Sequence, residues 1–418
     1  MTERHIGGAV EAGVCRVTVA DDILVGDEVT VGTNPIINFG SCAYLGLNVD
    51  ERLKRGAIEA VERFGPVFSS STVYTSVDLY DQLQERLERI FDAHVVMPTT
   101  TTLAHLSALP VLVGVDDAVI VDAQAHASVH MAVQLLQSDG IPVHIVPHND
   151  VKALAKAVGE HTPNFEEIWY LADGVYSMWG DVAPVHEVAV LMDEYPNLYV
   201  YYDDAHGVGW AGEHGRGFVL DRVPLHDRMV VAVSLAKSFG SGGAALIFPN
   251  APTAHRVKVC GGTMTFSGPI HPAELGAAIA AADIHLSDEH EERQSQLMRQ
   301  IDFTAALLVE HGLPTPALDR TPIWFVKVGG FRSAVALTQL LMDEGFFVNI
   351  AAFPAVQLGE AGIRFTNTNY HDEDQVRSLI EAIARHLPVV RSGGDGITID
   401  LRPERAKATE KAQSKRRF

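Results

Sequence analysis

The chain has 418 residues, of which 47% are hydrophobic and 20% are charged, the composition of an ordinary globular protein with two or three domains. Its formal net charge is -21 at pH 7, which opposes binding to phosphate backbones and excludes nucleic acid as an expected partner. Cys15, Cys42 and Cys260 have no paired or metal-like spacing, so neither a disulfide framework nor a metal site is expected. The sequence shows no signal-peptide pattern and no apolar run of about 18 residues, which predicts no membrane span and a cytoplasmic location.

Between about residues 95 and 250, short apolar runs alternate with helical stretches. This pattern predicts an α/β fold with a mainly parallel central sheet flanked by helices. The predicted strands are AVIVDA (118–123), PVHIVPH (142–148), IWYLAD (168–173), LYVYYDD (198–204), MVVAVS (229–234) and AALIF (244–248). Polar residues Asp122, Asp173, Asp203 and Ser234 lie at the ends of four of them. Because ligands of open α/β sheets bind beyond the carboxyl ends of the strands, these four ends should face one crevice.

The sequence after residue 287 predicts a smaller α+β domain. Its predicted elements are a long helix (287–312), a strand (322–328), a helix that opens at Ser333, the strand-like segments FFVNI and IRFTN, and a helix that opens at Asp372. We therefore expect an N-terminal segment (1–48) that packs with the small domain, a large domain (49–290), the small domain (291–395) and a mobile tail (396–418).

The segment SLAKSFGSGG (234–243) contains the first candidate catalytic residue, Lys237. It starts at a strand end and continues through small residues, where a lysine is sterically accessible and can form an imine with an aldehyde. Earlier in the chain, Asp203 ends a predicted strand, and a buried carboxylate there can keep the nitrogen of a pyridine ring protonated. His206 can hydrogen-bond a ring hydroxyl. Each residue alone also fits a structural role, as a solvated loop lysine, a capping carboxylate or a turn histidine, but their combination favours a cofactor site.

Six segments of the chain carry a resemblance to a known family. They are AYLGL (43–47), DAQAHAS (122–128), YSMWGD (176–181), DDAHGVGWAGEHGRG (203–217), SLAKSFGSGG (234–243) and IRFTNTNYHDED (363–374). In order and spacing they resemble the α-oxoamine synthase family of fold-type-I enzymes that depend on pyridoxal 5′-phosphate (PLP). The resemblance implies a homodimeric acyltransferase with PLP held as a Schiff base on Lys237. Such an enzyme condenses an amino acid with an acyl thioester of coenzyme A or a carrier protein and releases carbon dioxide, giving an α-aminoketone.

The resemblance also implies contacts with the PLP ring. Asp203 pairs with the pyridine nitrogen, and His206 contacts the ring oxygen. His126 stacks on the ring face, where a flat aromatic side chain holds the π-system in place, although it also fits a surface position at a helix start. Ser177 lies near the ring hydroxyl or the incoming acyl group, or else is only a turn residue.

The phosphate and the substrate carboxylate need their own partners. Hydroxyls at a helix N-terminus suit an anion, so Thr100, Thr101 and Thr102 are the expected phosphate ligands there. Ser234 would add a hydroxyl from the lysine loop, and the resemblance implies a further hydroxyl from Ser267 of the partner subunit. The threonine run also fits a simple helix cap. Arg364 corresponds to the family arginine whose guanidinium fork pairs with both carboxylate oxygens, and its structural alternative is a surface salt bridge.

Three departures from the family fall in the substrate-facing half. Cys42, in SCAYLGL, stands where the family commonly has asparagine near the substrate carboxylate, and is therefore a candidate substrate contact. The segment FSSSTVYTS (68–76) replaces a glycine-rich stretch with an arginine, and Tyr80 stands near the place of a histidine. These departures leave open an aminotransferase or lyase that acts on an amino acid without a thioester. A non-catalytic PLP-binding protein is a third possibility, which the complete lysine, aspartate and histidine set disfavours.

Overall fold

The structure, a computed structural model, describes residues 2–393, so the predicted tail (396–418) lies outside the described residues. The strands are β1 (Glu28–Val31), β2 (Asn34–Asn38), β3 (His94–Val96), β4 (Ala118–Asp122), β5 (Val143–Val146), β6 (Ile168–Asp173), β7 (Leu198–Asp203), β8 (Met229–Ser234), β9 (Ala244–Phe248), β10 (Ile323–Gly329), β11 (Phe346–Phe347), β12 (Asn349–Ala351) and β13 (Ala361–Thr366). The helices are α1 (Thr2–Glu11), α2 (Glu51–Phe64), α3 (Asp78–Phe91), α4 (Thr101–Leu112), α5 (Ala127–Ser138), α6 (Val151–His161), α7 (Val185–Glu194), α8 (Phe218–Arg222), α9 (Ala251–Cys260), α10 (Gly262–Phe266), α11 (Pro272–His285), α12 (Asp288–Glu310), α13 (Phe331–Asp343) and α14 (Glu373–Ser392).

The chain divides into two compact units. The larger unit contains Cys42–Ser177 and Asp181–Gln296, and the smaller one contains the described residues up to Ser41, Met178–Gly180 and those from Leu297 onward. The predicted domain ranges, with boundaries after residues 48 and 290, stay a prediction.

The larger unit is built on a seven-stranded sheet of order β3-β9-β8-β7-β6-β4-β5. Strands β5, β4, β6, β7 and β8 run parallel, whereas β9 is antiparallel to both of its neighbours. Every residue of β4, β6, β8 and β9 is buried, because helices that cover both faces of a parallel sheet favour continuous apolar runs over alternation. The predicted mainly parallel sheet is confirmed, and each predicted strand is present.

Two helices of the larger unit begin at the carboxyl edge of its sheet. Helix α5 follows the end of β4. Strand β3 is antiparallel to β9, which is antiparallel to β8, so β3 runs in the same direction as β8 and α4 also begins at that edge. Buried side chains of α4 and α5 pack with β4 and β6 in one apolar core, among them Leu109, Val129, Val119 and Leu171. The packing places both helix N-termini near the strand ends.

The smaller unit contains two three-stranded sheets, of order β1-β2-β11 and β10-β13-β12. Helix α14 starts after Asp372 as predicted, with a capping box between Asp372 and Gln375. The prediction that a helix opens at Ser333 was wrong, because Gly330 takes the capping position and its carbonyl accepts the first helical hydrogen bond, from Ala334 N. The FFVNI segment forms two short strands, since β11 pairs with β2 and β12 pairs with β13. No helix in the described range is long and apolar enough to cross a membrane.

Candidate functional site

A cavity of about 420 Å³ lies at the carboxyl edge of the parallel strands in the larger unit. Its lining consists of Thr99, Thr100, Thr101, Thr102, His126, Ser128, Asp173, Val175, Asp203, Ala205, His206, Ser234, Ala236, Lys237, Ser241, Gly242, Gly243 and Glu274. Three of the four predicted polar strand ends therefore meet there, namely those of β6, β7 and β8. The fourth, Asp122, belongs to a separate network described below.

Asp203 is the buried anionic group of this cavity. Its Oδ2 lies 2.9 Å from Nε2 of His105, and its Oδ1 accepts a hydrogen bond from the Ala205 backbone at 3.1 Å. Burial opposes the charge on Asp203, but the interactions with His105 and Lys237 outweigh burial and lower its pKa to about 2. An ionised carboxylate in this position can hold a proton on a pyridine nitrogen.

Asp173, which pairs in register with Asp203 on the neighbouring strand, is a second buried carboxyl group. Burial raises the pKa of Asp173 well above its ordinary value, and the charge of Asp203 raises it further. The pKa values of the two adjacent carboxyl groups are therefore shifted in opposite directions, since two like charges in a desolvated site repel each other. Sequence reasoning identified Asp173 only as a polar strand end.

His206 and His126 are both held by hydrogen bonds within the larger unit. The Tyr44 hydroxyl, buried in the AYLGL segment, lies 2.7 Å from Nδ1 of His206 and fixes the orientation of that ring. His126 precedes α5, where its Nδ1 accepts from the Ser128 backbone at 3.3 Å and its own backbone N–H donates to Asp173 Oδ1 at 2.9 Å. The His126 side chain remains exposed and lines the cavity, so a flat ligand has access to it.

Lys237 lies in a tight loop after β8. The loop turns at Gly240, whose φ is +78° and whose N–H donates to the Lys237 carbonyl at 2.9 Å. A Cβ atom at Gly240 would lie 2.8 Å from the backbone of Leu47 and Asn48, so a larger residue would force the loop away. The close approach explains the glycine in SLAKSFGSGG and places the half-buried Lys237 at the cavity.

The hydroxyl-rich start of α4 forms another part of the cavity. Thr100 caps the helix by accepting a hydrogen bond from Leu103 N at 3.2 Å, and Thr99 donates to the Gly268 carbonyl at 2.6 Å. Thr101 and Thr102 occupy the first helical turn, where backbone N–H groups lack intrahelical acceptors and the helix dipole favours an anion. The cavity therefore combines an anion-binding helix start, an ionised carboxylate, an amine and an accessible imidazole. This set of groups fits PLP, which has a phosphate, a pyridine nitrogen, an aldehyde and a flat ring.

Of the remaining predicted site residues, one lies at the cavity and the others do not line it in the described chain. Ser177, Ser267 and Cys42 are not among the residues that line the cavity in the described chain, whereas Ser234 is. Arg364 is buried in β13 of the smaller unit, in register with Phe325. The roles assigned to these residues stay predictions.

Next to the site, His148 connects two carboxylates of the larger unit. Its Nδ1 lies 2.9 Å from Asp122 Oδ1, and its Nε2 lies 2.6 Å from Asp181 Oδ2. Burial disfavours a charged imidazole, but the two carboxylates outweigh burial and raise the pKa of His148 to about 9. These two hydrogen bonds connect the end of β4 to Asp181, the last residue of the YSMWGD segment.

We expect His148→Gln to destabilise the protein most at neutral pH and less in alkali. The pKa of His148 is raised, so its stabilisation is complete below about 6.5 and disappears as pH rises through about 9. The loss at neutral pH should be on the order of 2 kcal/mol, measured from urea unfolding. His144→Gln, at an exposed position of the edge strand β5, is the matched control. An equal loss at neutral and alkaline pH would show that the imidazolium charge does not contribute.

A mainly parallel sheet with an amine, a carboxylate and an anion-binding helix start at one edge defines a fold-type-I PLP-dependent transferase. The chain belongs to the aminotransferase class I and II family, whose model matches residues 34–383, and PLP is its cofactor.

The chain is similar to 8-amino-7-oxononanoate synthase of Symbiobacterium thermophilum, with 32% identity over 354 residues that cover 84% of this chain and 88% of the relative. It is 27% identical over 361 residues to serine palmitoyltransferase of Sphingobacterium spiritivorum, covering 86% and 88% of the two chains. The solved structure of Sphingomonas wittichii serine palmitoyltransferase shares the fold, with a TM-score of 0.83, 24% identity, and coverage of 90% of this chain and 93% of that one. The resemblance to α-oxoamine synthases and the predicted fold are thereby confirmed.

Proposed function

We propose that this enzyme condenses an amino acid with an acyl thioester and releases carbon dioxide, giving an α-aminoketone. The observation that carries the proposal is the single cavity lined by Lys237, Asp203, His206 and His126. The proposal is supported by relatives named 8-amino-7-oxononanoate synthase and serine palmitoyltransferase over most of the chain.

When bound, PLP supplies an aldehyde that links to amines and a pyridine ring that stabilises negative charge on the substrate Cα. Lys237 would hold the aldehyde of the cofactor, and its amine would remove the Cα proton of the bound amino acid. Asp203 keeps the ring nitrogen protonated, and His126 covers one ring face. A carbon–carbon bond then forms between Cα and the thioester carbonyl carbon as the carbon–sulfur bond breaks, and the sulfur leaves as a thiolate that takes a proton from solvent. Loss of the carboxylate as carbon dioxide leaves Cα to take a proton back from Lys237.

The substrate assignment is tested by the release of free thiol. Catalytic amounts of enzyme are mixed with small amino acids and with short-chain or long-chain acyl-coenzyme A, and free thiol is followed with a disulfide reagent. We expect thiol release only when both substrates are present, with carbon dioxide formed in equal amount. Consumption of a keto acid acceptor without thiol release would instead identify an aminotransferase. No reaction of the PLP-loaded enzyme with thioesters of either coenzyme A or a carrier protein would disprove the condensation.

The larger unit also has an exposed apolar surface formed by the segments 67–74 and 259–266. Phe266 and Tyr74 are 90% and 83% exposed, and Ser71 Oγ joins the two segments by donating to the Thr265 carbonyl at 2.9 Å. Large apolar side chains exposed together are typical of an interaction surface. We infer a homodimer through this surface, with Ser267 of the partner subunit near the phosphate.

Phe266→Glu is expected to shift the protein from dimer to monomer in sedimentation velocity, because a carboxylate would be buried in an apolar interface. Its PLP affinity should fall about tenfold if the hydroxyl of Ser267 of the partner subunit contacts the phosphate. Val115→Glu is the control, because Val115 is a similarly exposed apolar residue that lies outside these two segments. This variant should remain dimeric. A monomeric wild-type protein would rule out the interface.

A further inference from the structure

His105 connects the candidate cofactor carboxylate to the interior of the larger unit. Its Nε2 lies 2.9 Å from Asp203 Oδ2, and its Nδ1 lies 2.8 Å from the hydroxyl of Tyr201. The His105 and Tyr201 side chains are completely buried. A buried imidazole needs a partner at each nitrogen, and here Nε2–H can donate to the carboxylate while Nδ1 accepts from the phenol. The arrangement therefore satisfies the histidine and leaves it one defined orientation.

The positions of these residues follow from the elements that carry them. Thr101 and His105 are four residues apart on α4, so they lie on the same side of the helix. Tyr201 and Asp203 are two residues apart on β7, so they lie on the same face of the sheet. The hydrogen bond between His105 on α4 and Asp203 on β7 therefore connects two parts of the cofactor site. One is the helix start expected to bind the phosphate, and the other is the carboxylate expected to bind the ring nitrogen.

We propose that His105, oriented by Tyr201, is a positioning residue that fixes Asp203 as the acceptor for the pyridine nitrogen of PLP. The inference rests on the role of Asp203 in the proposed function. His105 acts through Asp203, because it is not among the described residues that line the cavity. Lys237, His126 and Asp173 also interact with Asp203 electrostatically, and His105 in addition holds its carboxylate by a direct hydrogen bond.

Two substitutions separate hydrogen bonding from packing. His105→Gln keeps an N–H donor near the Nε2 position, whereas His105→Leu fills the volume without a donor. The apoproteins are titrated with PLP from acidic to neutral pH, and the dissociation constant is measured by absorbance. His105→Leu should raise the dissociation constant about tenfold, the scale of one hydrogen bond to a charged group. Its affinity should also begin to fall at a higher pH than in the wild type, because Asp203 without its donor is protonated more easily.

His105→Gln should stay within about threefold of the wild type, and Tyr201→Phe should change in the same direction as His105→Leu but less. His144→Leu, at the exposed edge strand, should change nothing. Wild-type affinity and pH dependence in His105→Leu would overturn the proposal. Equal losses of PLP affinity in His105→Leu and His105→Gln, together with a lowered melting temperature in both, would also overturn the proposal. Disturbed packing would then explain the loss of affinity in each variant. The readout is cofactor affinity, so a wild type that binds PLP but releases no thiol would disprove the condensation while leaving the role of His105 intact.

Discussion

Lys237→Ala is expected to lose the covalently held cofactor and to reduce turnover by at least about 10²- to 10⁴-fold, the range for removal of a general base. In the wild type, borohydride reduction should fix PLP on one peptide, and mass spectrometry should place the added mass on Lys237. The variant lacks the amine, so it should release PLP on dialysis after the same treatment and lose the absorbance band at the edge of the visible range. The lysine has two roles in the proposed reaction, which is why the expected effect is large.

Two other lysine substitutions test whether position or charge matters. Lys258→Ala removes an exposed amine from α9 and should leave both the absorbance band and turnover unchanged. Lys237→Arg keeps a positive charge next to Asp203 but cannot form the covalent link, because a guanidinium stays protonated. It should therefore behave as Lys237→Ala does in the reduction experiment. Added mass on a different lysine of the wild type would contradict the assignment.

The sequence was sufficient to predict the parallel sheet and much of the cavity. Buried parallel strands are continuous apolar runs, and the polar residues that end β6, β7 and β8 are visible in the sequence because they interrupt those runs. Asp203 is the last residue of β7, and His206 and Lys237 each lie three residues beyond the end of such a strand. Their meeting at one cavity then follows from the direction of the strands.

His105 could not be found in this way. It lies inside the apolar helix α4, where a buried histidine is not distinguished by spacing, and its partner Asp203 is 98 residues away in the chain. Tyr44 was within a recognised segment, AYLGL, but its contact with His206 spans 162 residues. Such contacts depend on how helices pack against the sheet. The sequence pattern defines which face of an element is buried, but it does not define which side chains of two elements meet.

Asp122, the polar residue that ends β4, is another case in which the sequence did not define which side chains meet. Asp122 was expected at the crevice with the other three, because it ends a parallel strand in the same sheet. In the structure its carboxylate accepts from the Asn149 backbone at 2.8 Å and lies beside His148. A histidine after the neighbouring strand β5 therefore engages this carboxylate, and the strand-end rule alone could not reveal that competition.

Asp203→Asn is expected to lower turnover by about 10²-fold or more, the scale for loss of one preorganised electrostatic group, while PLP still binds. An amide has nearly the shape of the carboxylate, and its oxygen can still accept from His105, so the fold should be kept. It carries no charge, however, and cannot keep a pyridine nitrogen protonated, so the ring would stabilise less negative charge on Cα.

The neighbouring carboxyl group provides the matched control for this substitution. Asp204 is also buried, where burial raises its pKa above the ordinary value, and its Oδ2 accepts a hydrogen bond from the Val219 backbone at 3.0 Å. Asp204→Asn keeps the shape of a buried side chain that is not among the described residues lining the cavity, and should leave turnover and the absorbance band unchanged. Turnover measured with saturating PLP separates loss of chemistry from loss of cofactor. If Asp203→Asn retained full turnover under those conditions, a charged partner for the ring nitrogen would not be needed, and the anionic state that His105 and Lys237 impose on Asp203 would have no part in the reaction.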